Sequence, residues 1–225
     1  MNRTRLDIFK NSLLATAGLM SFAVAVYLII QADLGVNPWD TFCIGLSEKL
    51  GILYGTANII IAFTVIGFDL LLREKIGIGT ILDAIVVGKT VDLLNWLDII
   101  PKQDNVFIGI IMLTLGCFIA GFSQYLYMKA GLSCGPRDGF LVAIGRRLKK
   151  IPIGGVNAII LSVVLVIGWF LDGPIGIGTL LSPLLMGFTQ QVAFNLMKFE
   201  PKDVVHQDLF GSIRVLLGKR EQKEN

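Results

Sequence analysis

Ile76-Gly77-Ile78-Gly79-Thr80 and Ile175-Gly176-Ile177-Gly178-Thr179 are one pentapeptide written twice, 99 positions apart. A second signature lies upstream of each copy. Pro38, Asp40 and Phe42 recur as Pro136, Asp138 and Phe140 at an offset of 98, and Gly55 and Asn58 recur as Gly154 and Asn157 at 99. A single insertion therefore separates two halves of common descent. Solenoid repeats run 20–50 residues, so a period this long reads as a duplicated domain, a plan shared by many transporter folds.

Composition places the duplication in a membrane. Mean hydropathy is +0.71, 54% of residues are hydrophobic and 16% are charged, against about 25% charged in a soluble domain. Six apolar stretches are long enough to cross about 30 Å of hydrocarbon: Leu13–Ala32, Tyr54–Leu72, Gly77–Leu97, Phe107–Met128, Gly154–Leu171 and Gly176–Met197. The expected fold is all-α and polytopic. One membrane domain covers residues 1–200, with repeats at 11–98 and 106–198, and a cytoplasmic tail follows at 201–225. Basic residues before an apolar run resemble a signal peptide, but the run is too long for one and five more spans follow.

The charges are sorted by side. With the N-terminus cytoplasmic, seventeen of the 20 Lys and Arg residues fall inside, Lys49 and Lys102 fall outside, and Lys89 lies within a span. Under the positive-inside rule this makes both termini cytoplasmic. It also explains the net charge of +3 without nucleic acid. Three crossings per half leave the halves inverted relative to each other, the arrangement that gives alternating-access carriers two states of similar energy.

The loops 33–50 and 131–150 each carry Pro-x-Asp-x-Phe. Proline suits the first position of a helix, and an acid two residues later complements the positive N-terminus. Short helices are expected to begin at Pro38 and Pro136. The first would place Trp39, Phe42, Cys43, Leu46 and Leu50 on one face, with Asp40, Thr41, Ser47 and Glu48 mostly opposite. Amphipathic spacing and flanking charge favour a helix lying flat in the interface. The alternative is a re-entrant half-helix whose N-terminus points to the midplane and helps to form a site; its irregular entry at Gly35–Asn37 requires protein or water around it.

Leu34-Gly35-Val36-Asn37-Pro38-Trp39-Asp40, Gly55–Asn58 and Gly77–Thr80 together resemble the YitT/YczE-type family of bacterial integral membrane proteins, over residues 10–200. The short tail makes the chain look closer to the YczE-like branch, without the extra soluble C-terminal domain of some YitT relatives. The resemblance implies an architecture and no substrate.

Chemistry concentrates in the third span. Asp83, Lys89 and Asp92 cost together about 7–10 kcal/mol on the insertion scale, while the eleven aliphatic residues from Ile76 to Leu97 return roughly 3–7. The helix therefore needs partners in the bundle. Lys89 and Asp92, three apart, are close enough to neutralise each other. Alternatively, Lys89 or Asp83 faces a hydrated site, the default for an intramembrane ionisable group. At the repeat offset Asp83, Lys89 and Asp92 become Ser182, Phe188 and Gln191, so a site between the repeats is expected to be charged on one wall and hydrogen-bonding on the other. Asp40, Asp138, Asn58, Asn157 and Gln191 join the candidates for substrate or ion binding, although amides such as Asn58 commonly just bond a neighbouring helix.

Other features are local. Asp69 and Arg73 are spaced as an ion pair. The Gly-x-Gly stretches lack the βαβ context of a dinucleotide fingerprint. Cys43, Cys117 and Cys134 have no metal spacing, and topology separates Cys43 from Cys134. No cofactor, metal centre or catalytic motif is expected, His206 offers no ligand set, and the tail after Pro201 has the spacing of an amphipathic surface helix. The expected function is transport of a small molecule or ion, with a homodimer as one assembly it allows and the lipid bilayer as its surroundings. The alternatives are a non-transporting accessory protein and the substrate-capture subunit of an uptake complex.

Overall fold

A computed structural model describes residues 5–74, 76–132 and 135–200. The expected tail helix, His206, Cys134 and Lys75 lie outside the described residues. Within these, every regular element is a helix: α1 (Arg5–Gln31), α2 (Pro38–Leu50), α3 (Tyr54–Leu71), α4 (Ile78–Leu97), α5 (Val106–Lys129), α6 (Pro136–Arg147), α7 (Ile153–Phe170) and α8 (Ile177–Leu196).

Five of these, α1, α3, α5, α7 and α8, are long and apolar enough to cross a membrane. Helix α4 has the length, 20 residues, and carries the three charges noted above. Helix α1 starts eight residues before its apolar run at Leu13, because its polar first turns continue the same helix.

The short helices start where their prolines place them. Asn37 caps α2 by accepting from the Trp39 N–H, and the chain leaves α2 through Gly51 at φ 63°, a left-handed exit that glycine adopts at low cost. The flat placement favoured by α2's spacing does not match its packing. Asp40, Thr41 and Ser47 on the polar face are buried, as are Trp39 and Cys43 on the apolar face, and the exposed residues Glu48 and Leu50 lie at the end of the helix. The polar atoms of α2 find partners inside the bundle, so both faces of the helix are packed.

Contacts recur at the repeat offset. Helices α1 and α5 pair at the centre, α4 packs on α1, and α8 packs on α5. Gly18 of α1 lies against the Ser123 carbonyl and Tyr127 N of α5, and Gly116 of α5 lies against the Ala25 carbonyl and Ile29 of α1. Each residue in the second contact is 98 positions from its counterpart in the first. The Leu34 carbonyl accepts from Gly178 N (2.6 Å) at the start of α8, while the Leu132 carbonyl accepts from Gly79 N (2.8 Å) at the start of α4. Helix α2 crosses the end of α7, with Thr41 on Gly168; α6 crosses the end of α3, with Gly139 on Asp69.

One extensive interface has no counterpart. Helices α3 and α4 meet at Gly55 and Gly88, so closely that a Cβ on Gly55 would overlap the Gly88 carbonyl. Their equivalents Gly154 on α7 and Gly187 on α8 have no atom within 4 Å of such a Cβ, and α7 makes no comparable packing with α8.

The expected Asp69–Arg73 pair is absent from the salt bridges of the described residues. The chain turns at Arg73 with φ 60°, which carries that side chain out of the helical register that an i, i+4 pair requires.

Candidate functional site

The first turns of α2 and α6 face each other in the bundle. Arg137, second residue of α6, reaches four groups, one of them Cys43 Sγ, to which it donates at 3.6 Å. Its guanidinium donates to Asn58 Oδ1 on α3 at 2.7 Å, stands 3.7 Å from Asp40 Oδ1 on α2, and lies over the Trp39 ring at 5.2 Å. Trp39 and Arg137 occupy equivalent positions of the two repeats, so the contact joins a residue to its own counterpart. Tyr54 Oη donates to the same Asp40 oxygen at 2.9 Å. Asp40 is 5% exposed, and a buried carboxylate is tolerated where donors surround it. Burial raises the Asp40 and Asp138 carboxyls above their ordinary range, and the Arg137 charge opposes that shift at both; at Asp40 the Tyr54 hydrogen bond opposes it as well.

A cavity of about 90 Å³ opens beside this cluster, walled by α1, α3, α4, α5 and α6. Its polar lining comprises Asn58, Asp83, Ser123, Gln124, Tyr127, Arg137 and Asp138. Each helix contributes for a local reason. Gly135 lets the start of α6 come up against Asp83, since a Cβ there would stand 2.9 Å from Asp83 Oδ2. The Gly55–Gly88 contact holds α3 so that Asn58 Nδ2 donates to the Ala84 carbonyl of α4 at 3.4 Å. Asp83 and Asp138 take part in no salt bridge among the described residues. The cavity thus holds one guanidinium, already engaged with Asp40 and Asn58, and two carboxylates without a cation of their own.

Asp40, Asn58, Asp83 and Asp138 are brought together. Lys89, Asn157 and Gln191 are not: each is exposed on the outside of the bundle, and Gln191 donates to Asn195 Oδ1 at 2.9 Å. Asp92 is partly buried and makes no salt bridge to Lys89. One of its oxygens accepts from the Gly55 N–H at 2.6 Å, capping the start of α3, because the close glycine contact brings that N–H within reach.

Arg137 and Gln124 were not singled out from the sequence. A signal for Arg137 was present. A basic residue in the first turn of a helix opposes the macrodipole, and it stands where the other repeat has Trp39. Gln124, a lone amide within the α5 run, offered no comparable pattern.

Comparison with known proteins agrees with this picture of a membrane bundle. No solved structure matches the chain. The chain is 34% identical over 173 residues to the uncharacterized membrane protein YczE of Bacillus subtilis, covering 76% of this chain and 79% of that protein. It is 28% identical over 181 residues to the uncharacterized protein YyaS of the same organism, covering 78% and 88%. An uncharacterized protein of Haemophilus influenzae is 27% identical over 187 residues, covering 81% and 84%. The profile of DUF6198, a family of unknown function, matches residues 9–195, and the chain belongs to that family.

Proposed function

We propose that this protein is a six-span carrier of a small cation or amine, built from two inverted repeats, with the Asp83–Asp138 cavity as its site. The observation that carries the reading is the cavity itself, which sets two carboxylates that form no salt bridge among the described residues beside a single guanidinium already paired with Asp40, at the facing ends of two short helices. A pair of half-buried carboxylates in such a cavity favours a positive ligand, since each charge withdrawn from water without a partner is costly.

The contacts repeated at 98 and 99 positions support the inverted-repeat reading. With the N-terminus cytoplasmic, α2 follows the outer end of α1 and α6 follows the inner end of α5. Helices entering from opposite sides touch at Trp39 and Arg137 only if both loops dip into the bundle, which favours the re-entrant placement. Helix α4 then completes the six spans, its charges directed to the cavity at Asp83 and to the α3 cap at Asp92. That the relationship extends to the YitT proteins, as the Leu34–Asp40 motif implies, belongs to the same proposal.

The test is thermal unfolding of the detergent-purified protein in a bulky organic-cation buffer, with sodium, potassium, ammonium and small primary amines added in turn. A ligand at 100 times its Kd stabilises by about 2.7 kcal/mol. One class should raise the unfolding temperature, and Asp83→Asn should remove the shift. No response to any of them overturns the reading. A stoichiometric copurifying protein in that case points to the accessory or capture-subunit role.

A further inference from the structure

The main helix pairings occur twice, α1 on α4 with α5 on α8, α2 on α7 with α3 on α6, and α2 on α3 with α6 on α7, whereas the extensive interface between α3 and α4 occurs once. Three observations meet there. Gly55 and Gly88 are in backbone contact, while Gly154 and Gly187 face open space. The Gly55 N–H donates to Asp92 Oδ1, while α7, preceded by Pro152, starts at Ile153 with no side-chain cap. Gln191, the counterpart of Asp92, is exposed on α8 with a side-chain carbonyl able to accept from Gly154 N–H as Asp92 accepts from Gly55. The second half thus holds the parts of a seam that it does not close. Glycine lets two helix backbones approach within a membrane, and an uncapped first turn is stabilised by an acceptor brought to it.

We infer that the protein has a second geometry in which α7 closes on α8 through Gly154, Gly187 and Gln191 while the Gly55–Gly88 seam parts. The inference rests on the carrier reading and supplies its moving element. With both termini cytoplasmic, Gly55 lies at the outer start of α3 and Gly154 at the inner start of α7. The structure described here, with Gly55–Gly88 sealed and Gly154–Gly187 apart, then faces the cytoplasm. The other geometry faces outward. Gain and loss of two similar seams keep the energies of the two close, as alternating access needs.

The test uses the full chain in membrane vesicles of both orientations, with Cys43, Cys117 and Cys134 replaced and Gln124→Cys as the reporter in the cavity. The readout is the rate of labelling by a membrane-impermeant maleimide without added ligand. Gly187→Leu and, separately, Gly154→Leu add bulk where the described geometry has room, so both variants should fold as the parent does. Each should lower labelling from outside by about tenfold, the scale of an overpacked helix contact, and leave or raise labelling from the cytoplasmic side. Gly55→Leu should do the reverse. Unchanged labelling from both sides in Gly187→Leu and Gly154→Leu overturns the inference, as does a rise from outside. Because no ligand is present, a failure to bind any cation leaves this result intact, and the two readings fail separately.

Discussion

Replacing Arg137 by Met tests whether the contact between α2 and α6 organises the centre of the protein. Met keeps the apolar stem and removes a guanidinium that is 26% exposed and engages Asn58 at 2.7 Å and Asp40 at 3.7 Å. Asp40 retains the Tyr54 hydroxyl as a donor, and Asn58 Oδ1 keeps a long contact of 3.8 Å from Cys43. Removing one partner of a buried pair costs about 3–5 kcal/mol. An orphaned buried acceptor costs about 1–3 more. Partial exposure of Arg137 and the long Asp40 distance reduce the total, giving an expected loss of about 3 kcal/mol, at the low end of the buried-pair range. Adding Asp40→Asn removes the uncompensated charge and should restore at least half of it. Arg137→Lys should recover little, because an ammonium has no fork to reach Asn58 and Asp40 together. Reversible unfolding in mixed micelles measures all four proteins. A loss below about 1 kcal/mol for Arg137→Met, the size of an exposed pair, would refute the argument that this cluster holds the two short helices.

Lys89→Met should leave stability unchanged or slightly improved, because Lys89 is exposed and Asp92 is bonded to Gly55 N–H in its place; a loss of several kcal/mol by the same unfolding assay would reinstate a Lys89–Asp92 pair. Asp92→Leu removes the cap of α3 and should cost about 0.5–2 kcal/mol, whereas Gln191→Leu should cost almost nothing in the described geometry. Gly18→Val should destabilise by about 1–3 kcal/mol through overpacking, since even its Cβ would stand 2.9 Å from Tyr127 N; equal unfolding midpoints for variant and parent would count against the α1–α5 contact. With cysteines introduced singly, Lys102→Cys should label from outside and Arg146→Cys from the cytoplasmic side, both positions being exposed, and the opposite pattern would invert the assigned orientation.

Much of this was legible in the residues. Hydrophobic runs and their lengths bound the long helices, and Pro38 and Pro136 marked the first turns of α2 and α6, because helix starts are set by local backbone chemistry. The repeat offset anticipated which residues would make equivalent contacts, since duplicated sequences pack duplicated surfaces. The site was legible in part. Asp40, Asn58, Asp83 and Asp138 carry polarity where an apolar residue would be easier to place, and burial of such groups signals a partner or a ligand.

Sequence could not decide which polar face turns inward or which partner an ionisable group takes. Spacing put Lys89 three residues from Asp92, yet the Gly55–Gly88 approach brings a backbone N–H to Asp92 and leaves Lys89 outside. Spacing put Asp40 on an exposed face, yet Arg137, 97 positions away, draws it into the core. Periodicity along one helix records what its own residues prefer, and that determined the helices, their starts and the duplication. The meeting of Trp39 with Arg137, the cavity beside Asp83, and the closure of one glycine seam with its twin left open arise from segments far apart in the chain. Only their packing in three dimensions, where backbone approach distances select each polar partner, decided them.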